Sequence, residues 1–325
     1  MGRDPPSPIP STERWRVRPY EPTGSRLPPA ARRRHAGHMT HDVAVQITGL
    51  HKHYGSLHAV DGIDLTIQRG ETFALLGPNG AGKSTTIEIL EGYRHRTSGE
   101  VSVLGVDPSH GDLSWKARLG IVAQSTAEAD TATVRELLTL VRGLYPDPRD
   151  VDEVIASVGL QEKATTRSSR LSGGQRRRLD VALGVIGRPE LLFLDEPTTG
   201  FDPEARREFW DLVRSLQNGG TTIILTTHYL DEAAELADRV GIITGGRLVD
   251  VGAVDRIGGA DARRPVVRWR DAAGERRSVV TDTPAALVAD LGHQAGGEPR
   301  DLEVIRPSLE DIYLALIGAE SKDAA

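Results

Sequence analysis

Hydrophobic and polar residues alternate along two stretches, VAVQITGL (43–50) and GIDLTIQRG (62–70), and this alternation predicts two half-buried strands. The next run, ETFALLG (71–77), is more continuously apolar, which is typical of a buried strand. The segment PNGAGKSTTIEILEGY then passes from a glycine-rich loop into helical spacing, with Ile87 and Leu90 on one side. A strand, a loop and a helix in this order predict the opening of an α/β domain.

The middle of the chain continues the pattern of strands and helices. Within 131–170, TATVRELLTLVRGLY and VDEVIASVGL repeat their apolar residues at helical intervals. PELLFLDEP (189–197) and TTIILTTH (221–228) have the composition of buried strands, and RREFWDLVRSLQNGG between them predicts an amphipathic helix that glycine ends. This alternation predicts a mostly parallel sheet.

The sequence pattern changes after about residue 254. PVVRWRDAAGERRSVVT predicts a hairpin around Ala273 and Gly274, followed by a short helix and a closing helix in PSLEDIYLALIG. We expect residues 255–325 to form a small α+β accessory domain that follows a main domain at 39–254.

The first 38 residues differ from the rest in composition. They contain eight prolines and a net charge of +5, while the whole chain carries −6, so the remainder carries −11. This basic, proline-rich segment predicts disorder and lacks the apolar stretch of a secretory signal. We expect the native protein to start at Met39; a functional basic tail is the alternative.

Composition excludes several classes of function. The chain has no cysteine, which excludes disulfides and thiolate chemistry and fits a reducing bacterial cytoplasm. The acidic body argues against a nucleic-acid partner, because such binding depends on neutralising phosphates. No apolar run approaches the roughly 18 residues of a membrane-spanning helix, so we expect the chain not to cross a membrane by itself.

The loop GPNGAGKST (77–85) fits the phosphate-binding pattern G-x-x-x-x-G-K-[ST] between a strand and a helix. Its glycines allow backbone N–H groups to surround a triphosphate, while the Lys83 ammonium reaches the β- and γ-phosphates and the Ser84 hydroxyl binds Mg²⁺. The alternative is a glycine-rich connector. The predicted nucleotide-binding residues here are Gly77, Pro78, Asn79, Gly80, Ala81, Gly82, Lys83, Ser84 and Thr85.

The run LLFLDEP (191–197) supplies two carboxylates at the end of a predicted strand. Ligands bind at the carboxyl ends of strands in open α/β sheets, so Asp195 is placed to bind Mg²⁺ and Glu196 to activate a water molecule. The alternative is a surface pair that caps a turn. A guanine-reading N-K-x-D motif is absent, because neither Asn79 nor Asn218 begins one.

Five motifs in order, GPNGAGKST, the glutamine of IVAQS, LSGGQRRRL, LLFLDEPTTGFDP and LTTH, resemble the ATP-binding subunit of an ABC transporter. The resemblance covers about residues 43–252. It implies an ATPase with a P-loop NTPase core of the RecA type, an antiparallel β subdomain and a helical insert at about 125–180, with ATP and Mg²⁺ as cofactors.

The resemblance also implies roles for residues outside the phosphate loop. Tyr54 would stack on adenine, Gln124 would contact Mg²⁺ or the attacking water, and His228 would contact the γ-phosphate. A histidine at the end of a buried strand is otherwise an ordinary core residue. Asp202 would line a contact between subunits, and Phe201 stands where the family usually has leucine. The residues that would face a γ-phosphate from the LSGGQ motif are Ser172, Gly173, Gly174 and Gln175.

The LSGGQ turn has no base, nucleophile or metal ligand beside it. If it begins a helix, its N–H groups and the Ser172 hydroxyl form an anion site. The family resemblance places this motif far from the phosphate loop of its own chain, so a two-fold dimer would bring it to the nucleotide of another subunit. We interpret the basic run 176–178 as a solvated helix face.

The closing RPSLEDIYLALIG resembles the tail of daunorubicin-exporter-type ATPases, whose permease is a separate chain. This resemblance implies multidrug or antibiotic export, an integral-membrane permease partner, and a location at the cytoplasmic face of the cell membrane. The ATPase partner would be a second copy or a different paired subunit. The alternative function is a soluble ABC-type ATPase that acts on ribosomes, DNA or a protein complex without transport.

Overall fold

The computed structural model describes residues 43–122 and 131–323, with side chains described up to residue 318. Gln124, Met39 and the extension at 1–38 lie outside the described residues. The strands are β1 Val43–Tyr54, β2 Leu57–Gln68, β3 Thr72–Leu76, β4 Ser98–Val103, β5 Leu119–Val122, β6 Leu191–Asp195, β7 Thr222–Thr227, β8 Arg239–Thr244, β9 Arg247–Ala253, β10 Val266–Arg270, β11 Arg276–Val280 and β12 Arg300–Ile305. The helices are α1 Lys83–Leu90, α2 Leu113–Lys116, α3 Val134–Arg142, α4 Val151–Ser157, α5 Gly173–Val185, α6 Pro203–Asn218, α7 Leu230–Leu236, α8 Gly259–Ala262, α9 Pro284–Ala295 and α10 Leu309–Asp323.

The central sheet has the strand order β5-β6-β7-β3-β8-β9, and all its pairs are parallel except β8 with β9. Every residue of β3 and β7 is buried, as expected for parallel strands covered on both faces. The register pairs Leu76 with Thr227 and Asp195 with Thr226, so β3, β6 and β7 end at the same edge. The prediction of a mostly parallel sheet is confirmed.

A second, antiparallel sheet of order β2-β1-β4 forms the predicted β subdomain. Its inward residues join one face of the central sheet in an apolar cluster that includes Ile47, Phe73 and Trp115. The Trp115 indole N–H donates to the Val103 carbonyl at 2.9 Å, which satisfies this polar atom inside the core.

The opposite side of the central sheet is covered by helices, including α3, α4 and α5 of the insert. The Thr133 hydroxyl and the Glu136 carboxylate form a capping box that begins α3. Val134, Leu138 and Val154 are fully buried, so the apolar spacing that predicts these helices is the face that packs on the core.

The last part of the chain forms a third sheet of order β11-β10-β12 with α9 and α10. The predicted hairpin is present, with Gly274 in the left-handed region at a φ of +82°. Strand β12 was not predicted, because RDLEVI has a charged residue at half of its positions. Leu309 and Ile312 of α10 are buried in the main core, so this helix packs against the ATPase domain.

Candidate functional site

The phosphate loop joins β3 to α1 in a conformation that only glycine adopts easily. A Cβ atom on Gly77 would lie 2.2 Å from the Ile243 carbonyl oxygen, and one on Gly82 would lie 2.4 Å from that of Ala59. Gly82 has a φ of +107° immediately before α1 begins. The first-turn N–H groups of α1 therefore follow a glycine loop, the arrangement that binds phosphate.

Lys83 is the first residue of α1, and its side chain folds back over the loop. Its ammonium donates to the carbonyl oxygens of Gly77 at 2.7 Å and Pro78 at 3.1 Å, and the residue is only 5% exposed. Burial lowers the pKa of Lys83, while the charges of Glu196 and Asp195 act in the opposite direction. A buried positive charge near two carboxylates thus lies beside the loop.

Asp195 and Glu196 are fixed by the neighbouring strand β7. The Thr226 hydroxyl donates to Asp195 Oδ1, and the Glu196 N–H donates to the Thr226 carbonyl oxygen at 3.0 Å. Ser84 and Asp195 line the same cavity of about 520 Å³. A hydroxyl and a carboxylate are hard oxygen donors of the kind that Mg²⁺ prefers, so these residues fit the predicted metal.

Glu196 has a φ of +44°, in the left-handed region that non-glycine residues rarely occupy. Its carboxylate is largely buried, with Oε2 3.4 Å from His228 Nδ1 and 3.3 Å from the Thr199 hydroxyl that donates to it. The unusual backbone conformation therefore brings the Glu196 carboxylate to His228, which directly follows β7. The interpretation of the Asp-Glu pair as a surface turn cap does not fit this geometry.

A cavity of about 490 Å³ runs from the phosphate loop to Tyr54. Tyr54 ends β1 and the residue is 41% exposed, with Lys52 Nζ at 4.9 Å and the Arg94 guanidinium at 5.5 Å from the ring centre. An exposed aromatic face beside two cations suits a planar base that carries phosphates. The cavity is lined by Tyr54, Leu57, Ala59, Asn79, Gly80, Gly82, Lys83, Ser84, Thr85 and Glu196.

The LSGGQ turn is the start of α5. The Ser172 hydroxyl accepts from the Gln175 N–H at 3.3 Å, and Gln175 Oε1 accepts from the Ser172 N–H at 3.1 Å, forming a capping box. Among the described residues that line the 490 Å³ cavity, none belongs to 171–175. Asp202 also caps a helix, since its carboxylate accepts from the N–H groups of Glu204 and Ala205.

The interpretation of 176–178 as a solvated helix face is wrong for Arg177. Its side chain is buried, and its guanidinium donates to the carbonyl oxygens of Asp195 at 2.7 Å and Pro197 at 3.0 Å. Burial lowers the pKa of Arg177, and the charges of Asp180, Asp195 and Glu232 oppose that effect. Arg177 ties the LSGGQ helix to the backbone on both sides of Glu196, a contact that no local sequence pattern indicates.

A sequence profile described as ABC transporter matches residues 60–199. The daunorubicin resistance ATP-binding protein DrrA3 of Streptomyces coeruleorubidus is 36% identical over 309 residues, covering 86% of this chain and 98% of its own length. The Nod factor export ATP-binding protein I of Rhizobium johnstonii is 40% identical over 303 residues, covering 86% and 96%.

Solved structures agree on the fold. An ATP-binding subunit of an ABC transporter matches with a TM-score of 0.63 and 21% identity, covering 84% of this chain and 99% of that one. An ATP-binding cassette in its ADP conformation matches with a TM-score of 0.59 and 22% identity, covering 65% and 91%. In the part of the chain that the structure describes, no helix combines the length and the apolar character needed to cross a bilayer.

Proposed function

Because the chain belongs to the ATP-binding subunits of ABC transporters, we propose that it hydrolyses ATP at this site to power export of a small molecule through a separate membrane permease. The observation that carries the proposal is the meeting of Lys83, Asp195, Glu196 and His228 at one edge of the central sheet, beside a cavity that extends to Tyr54.

Each of these residues has a distinct task. The phosphate loop and Lys83 bind the β- and γ-phosphates, and Tyr54 stacks on the adenine. Ser84 and Asp195 would hold Mg²⁺, which when bound would supply positive charge to the phosphate oxygens, and Gln124 would contact the ion or the attacking water. Glu196 orients the attacking water and accepts its proton, and His228 contacts the γ-phosphate.

The LSGGQ turn completes the site of another subunit. Its capping box leaves Ser172 and the glycine N–H groups at the exposed start of α5, where the helix dipole favours an anion. In a two-fold dimer each such turn faces the nucleotide of its partner, with Asp202 near the contact. ATP then holds the dimer closed, and hydrolysis allows it to reopen. We propose a second copy of this chain as the partner.

The relatives support export in particular. Proteins named for daunorubicin resistance and for Nod factor export each align over 86% of the chain and over nearly their whole own length. One relative is named for resistance to daunorubicin and the other for export of Nod factor, so we propose an organic small molecule as cargo. The permease would hold this subunit at the cytoplasmic face of the cell membrane. A soluble ATPase acting on ribosomes or DNA has no such support.

The test of the catalytic assignment is Glu196→Gln, with the exposed Glu162→Gln as its control. We expect Glu196→Gln to retain ATP binding and to lower kcat at least about a hundredfold, because the amide cannot accept the proton of water. Size-exclusion chromatography with ATP and Mg²⁺ should show a stable dimer of this variant. Normal turnover in Glu196→Gln would remove Glu196 from its role.

A further inference from the structure

Three histidines and an aspartate lie together on one face of the β1–β2 ribbon. The strand register pairs His51 with Asp61 and His53 with His58. Side chains two residues apart in a strand point to the same face, so H-x-H in β1 places both rings on the side that Asp61 and His58 share. No motif of the ATPase accounts for this cluster.

The ligand atoms of His51, His53 and Asp61 all lie within 4.8 Å of one another. His51 Nδ1 is 3.2 Å from Asp61 Oδ1. Imidazole and carboxylate ligands that share one zinc ion lie roughly 3.3 Å apart, given metal–ligand bonds of about 2.0–2.2 Å. Small side-chain rotations would therefore bring the three groups onto a single ion.

Asp61 is already oriented for this purpose by Arg247 of β9. Both Nε and Nη2 of Arg247 donate to Asp61 Oδ2, at 2.8 and 2.6 Å, which leaves Oδ1 directed at the histidines. These two hydrogen bonds fix the orientation of the Asp61 carboxylate. A carboxylate fixed by hydrogen bonds is typical of the outer shell of metal sites.

His53 provides the observation that a simple ion pair does not explain. Its Nε2 is buried and has no hydrogen-bond partner among the described residues. The ring is held in place by His58, which stacks on it with ring centres 3.9 Å apart and planes 19° apart. A buried, unpartnered imidazole nitrogen next to a second histidine and a carboxylate suits a metal ion.

We propose that His51, His53 and Asp61 form a binding site for a divalent transition-metal ion of the zinc class. Two imidazoles and one carboxylate are a common set of protein ligands for zinc, with water completing the coordination. His58 is a positioning residue, because its ring stacks on His53 and its Nδ1 lies 3.7 Å from Asp61 Oδ1, outside the three-ligand group. Arg247 is a positioning residue for Asp61.

The ion would join β1 to β2 next to the nucleotide cavity. Tyr54, Leu57 and Ala59 of the same two strands line that cavity. Metal binding therefore restricts the motion of the ribbon that carries the adenine-stacking ring. This consequence rests on the proposed function, whereas the metal site itself does not.

The experiment is calorimetric titration of the full, tag-free chain with Zn²⁺ in the absence of nucleotide, after removal of metals with a chelator. We expect His53→Gln to bind one zinc equivalent fewer than the parent. The control His110→Gln, which alters an exposed histidine, should bind as the parent does. Equal stoichiometry and affinity in the parent and His53→Gln would overturn the proposal and leave only an ion pair between His51 and Asp61.

A second measurement locates the ion and does not depend on the fold of a variant. Hydrogen exchange of the parent should slow in residues 51–61 when Zn²⁺ is added, because the ion joins the two strands. Cobalt titration should produce the visible absorption of a nitrogen- and oxygen-ligated site in the parent and in His58→Phe, which keeps the stacked ring. Zinc-dependent protection confined to other segments would contradict the assignment.

Discussion

The two edges of the central parallel sheet use charged residues in opposite ways. At the amino edge, charged side chains before the strands pair with each other: Glu190 before β6 binds Arg118 before β5, and Glu71 before β3 binds Arg239 of β8. At the carboxyl edge, Lys83 and Glu196 line the cavity of about 490 Å³, and Asp195 lines the cavity of about 520 Å³ that Ser84 also borders.

The backbone at the carboxyl edge is also shaped around a cavity. The carboxyl edge contains the left-handed Glu196 and the glycine loop whose Cβ positions are blocked. At the amino edge the Asp238 carboxylate accepts a hydrogen bond from the Thr72 N–H at 2.8 Å, and β3 pairs with β7 in an unbroken register from Thr72 onward. A left-handed residue also precedes the amino edge, since Arg188 has a φ of +55°, whereas the left-handed Glu196 places its carboxylate in the cavity at the edge where ligands bind.

The largest expected effect at the carboxyl edge comes from Lys83→Ala. We expect a loss of ATPase activity of about a thousandfold and weaker ATP binding, because among the described residues Lys83 alone is a cation held by the carbonyls of the loop. Fluorescent-nucleotide titration and phosphate release measure the two effects. Lys163→Ala serves as the control, and tight ATP binding by Lys83→Ala would contradict the assignment.

Arg177→Met tests whether a buried cation can stabilise the catalytic edge. Without the guanidinium, the carbonyl oxygens of Asp195 and Pro197 lose the hydrogen bonds that Arg177 donates. We therefore expect the free energy of unfolding to fall by about 2–4 kcal/mol. Because these carbonyls flank Glu196, kcat should also fall. The neighbouring Arg178→Met removes a pair with the exposed Glu208 and a long hydrogen bond of 3.5 Å to the Val158 carbonyl oxygen, and it should lower the free energy of unfolding by only about 0–1 kcal/mol. Equal urea midpoints for both variants would show that Arg177 has no special role.

Glu190→Gln tests the amino edge and has the smallest expected effect. Hydrogen bonds from Arg118 lower the pKa of Glu190 to about 2, with Arg69 also contributing. Because the pKa is depressed on folding, this stabilisation is present above about pH 4.5 and is lost as the pH falls toward 2. Because the Glu190 side chain is 39% exposed, we expect Glu190→Gln to lower the free energy of unfolding by only about 1 kcal/mol at pH 7 and to leave kcat unchanged.

The pH dependence of the unfolding free energy distinguishes loss of the Glu190–Arg118 ion pair from a general destabilisation of the fold. The difference in unfolding free energy between the parent and Glu190→Gln should shrink when urea titrations are repeated from pH 6 down to pH 3. The exposed Glu162→Gln should match the parent throughout. A large loss of ATPase activity in Glu190→Gln would contradict the distinction between an amino edge that stabilises the sheet and a carboxyl edge that binds the ligand.

The sequence predicted the features that depend on local residue patterns, such as buried strands and the phosphate-binding loop. The apolar runs of β3, β6 and β7 and the glycine loop before α1 led to the confirmed α/β class and ABC family. The meeting of Glu196 and His228 followed from strand order, since parallel strands end at one edge. The catalytic roles themselves remain predictions.

Contacts between distant segments were not predictable in this way. Arg177 lies in a basic run that is typical of a solvated face, and its burial depends on strand ends 18 and 20 residues away. His51, His53 and Asp61 share a face only because of the bulged register between β1 and β2. Strand β12 depends on pairing with β10, which supplies the apolar partner Val267.

The shared active site is tested most directly by mixing two inactive chains, Ser172→Arg and Lys83→Ala, at the protein concentration at which Glu196→Gln forms its ATP dimer. A mixed dimer contains one site with both an intact phosphate loop and an intact LSGGQ turn. We predict recovery of up to about a quarter of wild-type ATPase activity at a 1:1 ratio, since half of the dimers are mixed and half of their sites are intact. No recovery at any ratio would contradict the account.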